Sequence, residues 1–213
     1  MLQHTLIVGT TGAGKSYLEN AMIDKMMERH DAQFVMLDPK RTELWDYAPA
    51  DGVDVLKYAD TPADFYDAIM YAHTMMMMRF DKMKANHIKE WDGMPIYVVV
   101  DEMGALMNDR RHKKAYAELL GNIGMMGRAA KVFMILCTQV PTRQNVPNEI
   151  RDNMTNKVVL RLDDMSRARF VLGAGMSEYI GPLPRYGYGY VKTPDMDRPE
   201  KLDTDGMIRA LEV

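Results

Sequence analysis

The sequence predicts an α/β fold with a mostly parallel central sheet and helices on both faces. Short aliphatic runs alternate with longer stretches in which apolar residues recur at helical spacing. The run Ile96–Val100 contains no charged residue, which is typical of a strand that is buried on both faces of a parallel sheet. Ligands of such sheets bind at the carboxyl ends of the strands, so the polar residues after each strand are the first candidates for a site.

Six strands are predicted from short apolar runs that end at turn-forming or polar residues. In chain order, they are His4–Val8, Phe34–Leu37, Val53–Tyr58, Ile96–Val100, Val132–Cys137 and Lys157–Leu162. Most of the connections between them are long enough to hold a helix, and such crossovers are what parallel pairing requires.

Five helices are predicted from apolar spacing and from residues that begin or end helices. The longest begins with Thr61 as N-cap and Pro62 at the first helical position. The predicted helices are Tyr17–His30, 61–88, 112–127, Met165–Leu172 and Asp205–Leu211. The segment Gly173–Gly189 is rich in glycine and proline and is predicted to form turns. We divide the chain into one domain, residues 1–193, and a polar C-terminal tail, residues 194–213.

Composition places the chain among ordinary globular proteins. Of its 213 residues, 47% are hydrophobic and 27% are charged, and the net charge of −3 neither indicates nor excludes a nucleic-acid partner. The single cysteine, Cys137, cannot form an internal disulfide. Because the first motif begins at residue 9, we expect no leader before it, and no apolar run approaches the ~18 residues of a membrane span. These features predict a cytoplasmic protein without a membrane segment of its own.

The segment Gly9–Ser16, GTTGAGKS, fits the phosphate-binding P-loop pattern G-x-x-x-x-G-K-[ST]. Its glycines allow consecutive backbone N–H groups to face one phosphate chain, and the following helix adds a positive partial charge. Lys15 can reach the β- and γ-phosphates, and the Ser16 hydroxyl can ligate Mg²⁺. The strand before the motif and the helix after it favour this interpretation over an unrelated glycine-rich turn. The predicted nucleotide-binding residues are Gly9, Thr10, Thr11, Gly12, Ala13, Gly14, Lys15, Ser16 and Tyr17.

Two acidic residues, Asp101 and Glu102, follow the strand Ile96–Val100. An aspartate at this place can hold Mg²⁺ together with Ser16, and the adjacent glutamate can deprotonate an attacking water. The alternative is a pair of solvated carboxylates at a strand end. Together with the P-loop, the pair predicts an ATP hydrolase. A GTPase is less favoured, because the sequence shows no Asn/Thr-Lys-x-Asp element that would recognise guanine.

Two further residues are candidates for the hydrolysis step. Gln139 follows the strand Val132–Cys137 and could contact the γ-phosphate as a sensor, whereas its alternative is a loop glutamine. Arg128 precedes that strand and is the candidate for a cation supplied by a neighbouring subunit, as phosphoryl transfer often uses. Its alternative is a surface arginine at a helix end.

The densest basic cluster is the segment 110–114, Arg-Arg-His-Lys-Lys. Binding of a nucleic-acid phosphate backbone and a solvated helix start are equally good interpretations. Arg143-Gln144-Asn145 is a weaker candidate loop. If the chain forms a ring, residues 104–114 and 142–148 are the candidate pore loops.

Several segments agree with one family. They are His4–Ser16, Met36–Leu44 (MLDPKRTEL), Val98–Glu102, Arg128–Pro141 and Ser166–Gly173. Over roughly residues 1–190 the chain resembles the motor domain of FtsK/SpoIIIE-type DNA translocases, within the FtsK/HerA group of P-loop ATPases. The resemblance implies a RecA-like fold, a hexameric homo-oligomer, ATP with Mg²⁺, and movement along double-stranded DNA. It supports the roles given above to Lys15, Ser16, Asp101, Glu102, Gln139 and Arg128.

The sequence also departs from that family. The flanking domains of its motors are not apparent, which predicts a minimal motor and leaves room for a partner protein that supplies them. Lys157 stands where these translocases tend to carry arginine. DNA segregation, DNA transfer and viral genome packaging stay open as processes. The alternative function is a P-loop ATPase switch that regulates a protein partner; a small-molecule kinase is disfavoured because no arginine-rich lid is apparent.

Overall fold

The central sheet of the computed structural model contains eight strands, all within the described residues 3–48, 54–164, 166–184 and 186–211. The strands are β1 (Thr5–Val8), β2 (Gln33–Leu37), β3 (Val55–Ala59), β4 (Ile96–Val100), β5 (Val132–Thr138), β6 (Asn156–Val159), β7 (Tyr188–Lys192) and β8 (Glu200–Asp203). The α-helices are α1 (Lys15–Glu28), α2 (Pro62–Ala85), α3 (Met103–Met107), α4 (Lys113–Met126), α5 (Asn148–Arg151), α6 (Ser166–Leu172) and α7 (Thr204–Ala210).

The strands lie in the order β3-β2-β4-β5-β1-β6-β7-β8, and every pair from β3 to β6 is parallel. Only β7 and β8 at one edge pair in the antiparallel sense. The predicted mostly parallel α/β fold is therefore confirmed. Because β5 lies between β1 and β4, the carboxyl ends of these three strands lie side by side at the same end of the sheet. Val8 of β1 is level with Thr138 of β5, and Val100 of β4 is level with Leu136.

Both faces of the sheet are covered by helices. One face packs against α2, α4 and α6, which contribute Ile69, Tyr116 and Val171 to the core. The other packs against α1 and α7, which contribute Leu18 and Met207. All five residues of β4 are buried, as the uncharged run predicts for a central strand. None of the described helices is both long enough and apolar enough to cross a membrane.

Thr61 caps α2 as predicted, since its side chain accepts a hydrogen bond from the backbone N–H of Asp64. The sequence did not predict α3, α5, β7 or β8, and β7 begins inside the segment expected to form turns. The segment after residue 193, expected as a polar tail, contains β8 and the predicted short helix, now α7. The domain boundary at residue 193 stays a prediction, although β8 pairs directly with β7. Val53 and Met165, predicted starts of a strand and a helix, lie outside the described residues.

Candidate active site

The turn between β1 and α1 has the backbone that its glycines permit. Gly12 and Gly14 have φ angles of 74° and 93°, which residues with a side chain rarely adopt. A Cβ on Gly9 would lie 2.9 Å from the Leu160 Cβ, so this position has no room for a side chain. No acidic residue lies in the first turn of α1, so nothing there offsets the positive partial charge of the helix N-terminus. The turn is therefore suited to an anion.

A groove of about 260 Å³ runs along this turn. Its lining combines the P-loop with three residues from the ends of β2 and β5. The lining residues are Thr10, Thr11, Gly12, Gly14, Lys15, Ser16, Tyr17, Lys40, Glu43 and Gln139. Most of the predicted nucleotide-binding residues thus share one groove.

Lys15 and Asp101, 86 positions apart in sequence, form a buried ion pair at the base of this groove. The Lys15 Nζ donates to the Asp101 Oδ1 at 2.8 Å and to its backbone oxygen at 3.1 Å. The two side chains are 5% and 0% exposed. Burial opposes the charged form of Lys15, but the surrounding acidic groups, including Glu19 and Asp101, raise the pKa of Lys15 above its ordinary value. Lys15 therefore remains a cation at neutral pH.

Glu102 is held by donors from three parts of the chain. Its Oε1 accepts from the Thr138 hydroxyl at 2.9 Å and from the Gly104 N–H at 3.2 Å. The Gln139 N–H lies 3.3 Å from both carboxylate oxygens. Lys40 Nζ approaches Glu102 Oε2 at 3.1 Å and Asp101 Oδ2 at 3.7 Å. The carboxylate is thus fixed in place, at the same strand ends as the P-loop.

Gln139 connects the end of β5 to the P-loop. Its Oε1 accepts a hydrogen bond from the Thr11 hydroxyl at 2.9 Å. One residue earlier, the Thr138 backbone oxygen accepts from the Gly9 N–H at 3.2 Å. Gln139 thus contacts the P-loop through its side chain and Glu102 through its backbone.

Two oxygen groups fit a magnesium ion. The Asp101 Oδ2 is buried and has no hydrogen-bond partner among the described residues. The hydroxyl-bearing Ser16 lines the adjoining groove. The described residues contain no cluster of three or more His, Cys, Asp or Glu side chains that could form a closed metal cage. This donor set agrees with Mg²⁺, which is commonly held by one or two protein oxygens together with phosphate and water.

Arg128 does not lie near this site in its own chain. It precedes β5, while Gln139 follows that strand, so the seven residues of β5 separate them by about 23 Å. Its side chain is exposed at the opposite end of the strands, where their amino ends lie. A role for Arg128 in hydrolysis therefore requires the site of a neighbouring subunit.

The basic cluster lies in the turn between α3 and α4, on the strand-end side of β4. Arg110, Arg111, Lys113 and Lys114 are exposed. The turn is organised by Asp109, which accepts from the His112 ring at 2.8 Å and from the Tyr116 hydroxyl at 2.9 Å. Desolvation acts against these bonds, yet they lower the pKa of Asp109 to about 2. The cluster therefore sits on a well-defined turn.

The two candidate pore loops meet beside Glu102. A Cβ on Gly104 would lie 3.0 Å from the Asn145 Nδ2, so the loop after β5 packs directly on the start of α3. The Asn145 side chain also donates to the Val140 backbone oxygen at 2.9 Å. Gly104 and Glu102 share a hydrogen bond, so a change at Glu102 can reach both loops through one contact.

Sequence reasoning assigned no role to Lys40, and none to Thr138 beyond its place in the segment before Gln139. Lys40 lies in the loop after β2, which Asp38 organises by accepting from the backbone N–H groups of residues 42–44 at 3.0–3.3 Å. The available signal was position, because both residues stand at the carboxyl ends of buried parallel strands. Their contacts with Glu102 appear only in the folded chain.

Known proteins resemble this chain in both sequence and fold. Residues 1–95 match the sequence profile of the FtsK/SpoIIIE family. A protein named DNA translocase FtsK from Rickettsia typhi is 28% identical over 226 residues, which cover 84% of this chain and 30% of the relative. A similar relative from Sporosarcina ureae is 26% identical. The chain therefore spans about a third or less of the length of these curated relatives.

Solved structures share the fold at low sequence identity. The pCW3 conjugation coupling protein TcpA, in a structure with ATPγS, has a TM-score of 0.77 at 15% identity. The matched region covers 98% of this chain and 64% of the TcpA chain. The genome packaging NTPase B204 of Sulfolobus turreted icosahedral virus 2, with AMPPCP, has a TM-score of 0.60 at 14% identity. The matched region covers 94% of this chain and 96% of the B204 chain. The chain thus shares the fold of these solved structures, and its residues 1–95 resemble the FtsK/SpoIIIE family in sequence.

Proposed function

We propose that the chain hydrolyses ATP and uses the reaction to move double-stranded DNA. The observation that carries the proposal is the position of Glu102, whose carboxylate is held by Thr138, Gly104 and Lys40 beside the P-loop groove. A fixed carboxylate next to a phosphate site suits a general base. Its contact with Gly104 continues into the exposed basic turn, which suits transmission of the reaction to DNA.

Each residue of the site has a role in the proposed reaction. Lys15 binds the β- and γ-phosphates, and Gln139 positions the γ-phosphate and the attacking water. Glu102 takes a proton from that water while the water oxygen bonds to the γ-phosphorus. The bond between the γ-phosphorus and the bridging oxygen breaks, and ADP and inorganic phosphate leave. Mg²⁺ held by Ser16 and Asp101 would offset negative charge on the phosphates.

The same proposal covers assembly and DNA contact. In a hexameric ring, Arg128 would act on the nucleotide of the adjacent subunit, since it lies far from the site of its own chain. The exposed cations of residues 110–114, with Arg143, would hold the phosphate backbone without reading base sequence. The proposal places the motor in the cytoplasm, where ATP is supplied, and allows a partner protein to provide flanking domains. Segregation, DNA transfer and genome packaging are the processes it covers.

The test is ATP hydrolysis by the purified chain with and without duplex DNA at several salt concentrations. We expect DNA to raise turnover, and the stimulation to fall with added salt as phosphate contacts are screened. Replacing the four basic residues Arg110, Arg111, Lys113 and Lys114 by alanine should remove the stimulation and leave basal turnover. The matched control replaces four other exposed lysines, Lys25, Lys82, Lys84 and Lys89, with the same loss of charge.

Two results would contradict the proposal. Equal loss of stimulation in the control variant would show that total charge, and not the turn between α3 and α4, determines DNA binding. Hydrolysis that duplex DNA does not change at any salt concentration would favour the alternative function, a P-loop switch that regulates a protein partner.

A further inference from the structure

Asp109 forms the joint between α3 and α4. Its backbone N–H donates to the Leu106 oxygen of α3 at 3.2 Å, and its backbone oxygen accepts from the N–H of Lys113, the first residue of α4, at 3.0 Å. At its other end, α3 begins directly after Glu102, whose side chain caps it. One five-residue helix and Asn108 therefore separate the proposed general base from this joint.

The Asp109 carboxylate fixes the basic turn from the inside. Its Oδ1 accepts from the backbone N–H groups of Arg111 and His112 at 2.9 and 3.2 Å. Its Oδ2 accepts from the His112 ring at 2.8 Å and from the Tyr116 hydroxyl at 2.9 Å. The Asp109 side chain is only 15% exposed, so water competes little for these bonds. One side chain thereby holds the backbone from which the cations of residues 110–114 project.

The α4 side of the joint is anchored to the core and to α2. Tyr116 is fully buried, and its hydroxyl also lies 3.3 Å from the backbone oxygen of Pro62, where α2 begins. The His112 ring packs against two tyrosines, with centroid distances of 5.6 Å to Tyr66 of α2 and 5.9 Å to Tyr116. Because packed interiors transmit displacement and α4 is held in this way, a shift of α3 has to be taken up within the turn that Asp109 organises.

We propose that Asp109 is a positioning residue that couples the nucleotide site to the basic turn, because it passes a displacement of Glu102, through α3, to the cations of residues 110–114. The inference rests on the proposed function, in which those cations hold the DNA backbone. Asp109 acts through its neighbours and not by contact with ATP or DNA. By charge alone it opposes DNA binding, since it is an anion beside four cations. Its geometric role has the opposite sign, so an experiment can separate the two.

The experiment measures two quantities on the full chain. One is the increase in ATP turnover at saturating duplex DNA, and the other is affinity for a labelled duplex, by fluorescence anisotropy with AMPPCP, a non-hydrolysable ATP analogue. Asp109→Asn keeps the size of the side chain and removes its charge. Its maximal increase in turnover should fall about tenfold, as expected when hydrogen bonds to a charged group are lost. Its DNA affinity should stay within about threefold of the wild type or become tighter, because the turn gains one positive charge.

Tyr116→Phe tests the same network while it retains every charge. It removes only the hydroxyl that donates to Asp109, and the DNA-dependent increase should fall about threefold. The double variant should lose no more than Asp109→Asn alone, since the two side chains act as one unit. Independent losses, about thirtyfold together, would overturn this shared role.

Asp24→Asn is the matched control. Asp24 also accepts a hydrogen bond from a tyrosine, Tyr47, at 2.7 Å, but it lies on α1, which packs on the opposite face of the sheet from α4. Its DNA-dependent increase should equal that of the wild type. The proposal is wrong if Asp109→Asn keeps the full DNA-dependent increase, or if its loss is matched by Asp24→Asn or by an equal loss of basal turnover. A wild-type chain whose turnover DNA does not change overturns the proposed function itself, and the coupling with it.

Discussion

Replacing Glu102 by glutamine tests the proposed chemistry with little change of shape. The amide oxygen can still accept from Thr138 and Gly104, so the local structure should persist. The lost charge removes the ion pair with Lys40, whose side chain is 32% exposed, and this should cost about 1 kcal/mol of folding free energy. Loss of a general base lowers turnover about 10²- to 10⁴-fold, which corresponds to about 3–5 kcal/mol of activation free energy.

The assay measures phosphate release at saturating ATP, together with AMPPCP affinity and the thermal midpoint. We expect Glu102→Gln to lose turnover by at least about 100-fold while AMPPCP affinity changes by less than about fivefold. Thr138→Val is the companion variant, because it keeps the carboxylate and removes one 2.9 Å hydrogen bond to it. Its turnover should fall about tenfold, as expected for one hydrogen bond to a charged group. Turnover of Glu102→Gln within threefold of the wild type would refute Glu102 as the base.

Three further predictions follow from the site and the core. Lys40→Gln leaves the Glu102 Oε2 without its ammonium partner and should lower turnover at least about tenfold with AMPPCP affinity nearly kept; unchanged phosphate release would exclude a role for Lys40. Arg128→Ala and Lys15→Ala should each be inactive, but mixing them should restore hydrolysis, because one mixed interface combines an intact P-loop with an intact Arg128; no recovery at any ratio would argue against action between subunits. Burial lowers the pKa of His4 from 6.5 to about 4. The contribution of neutral His4 to the free energy of unfolding is therefore fully present above pH 6.5 and is lost as the pH falls toward 4, by about 2 kcal/mol at pH 5. In urea unfolding at pH 7 and pH 5, His4→Phe should lose less stability than the wild type, and equal losses would contradict this cause.

The buried parallel strands were the most predictable part of the fold. A strand covered on both faces, such as β4, is an unbroken apolar run, so its length and its ends can be predicted from the sequence alone. The strands β7 and β8 have no such run: β7 is short and contains a glycine and a lysine, and β8 is an edge strand whose residues are mostly exposed and polar. The short helix α3 was also missed, because its five residues are too few to show a helical apolar spacing; Glu102 caps it by accepting from the Gly104 N–H.

Chemical type and local backbone were determined by the sequence alone. The glycines of the P-loop, the lysine and serine after them, and the acidic pair after β4 are properties of adjacent residues, so a short motif is sufficient to predict them. Tertiary structure decided which of these groups meet. Lys15 and Asp101 stand 2.8 Å apart across 86 positions only because β5 brings the ends of β1 and β4 to one edge, and Lys40 reaches Glu102 only because β2 lies beside β4. Strand order depends on the packing of the whole chain, which no single segment encodes.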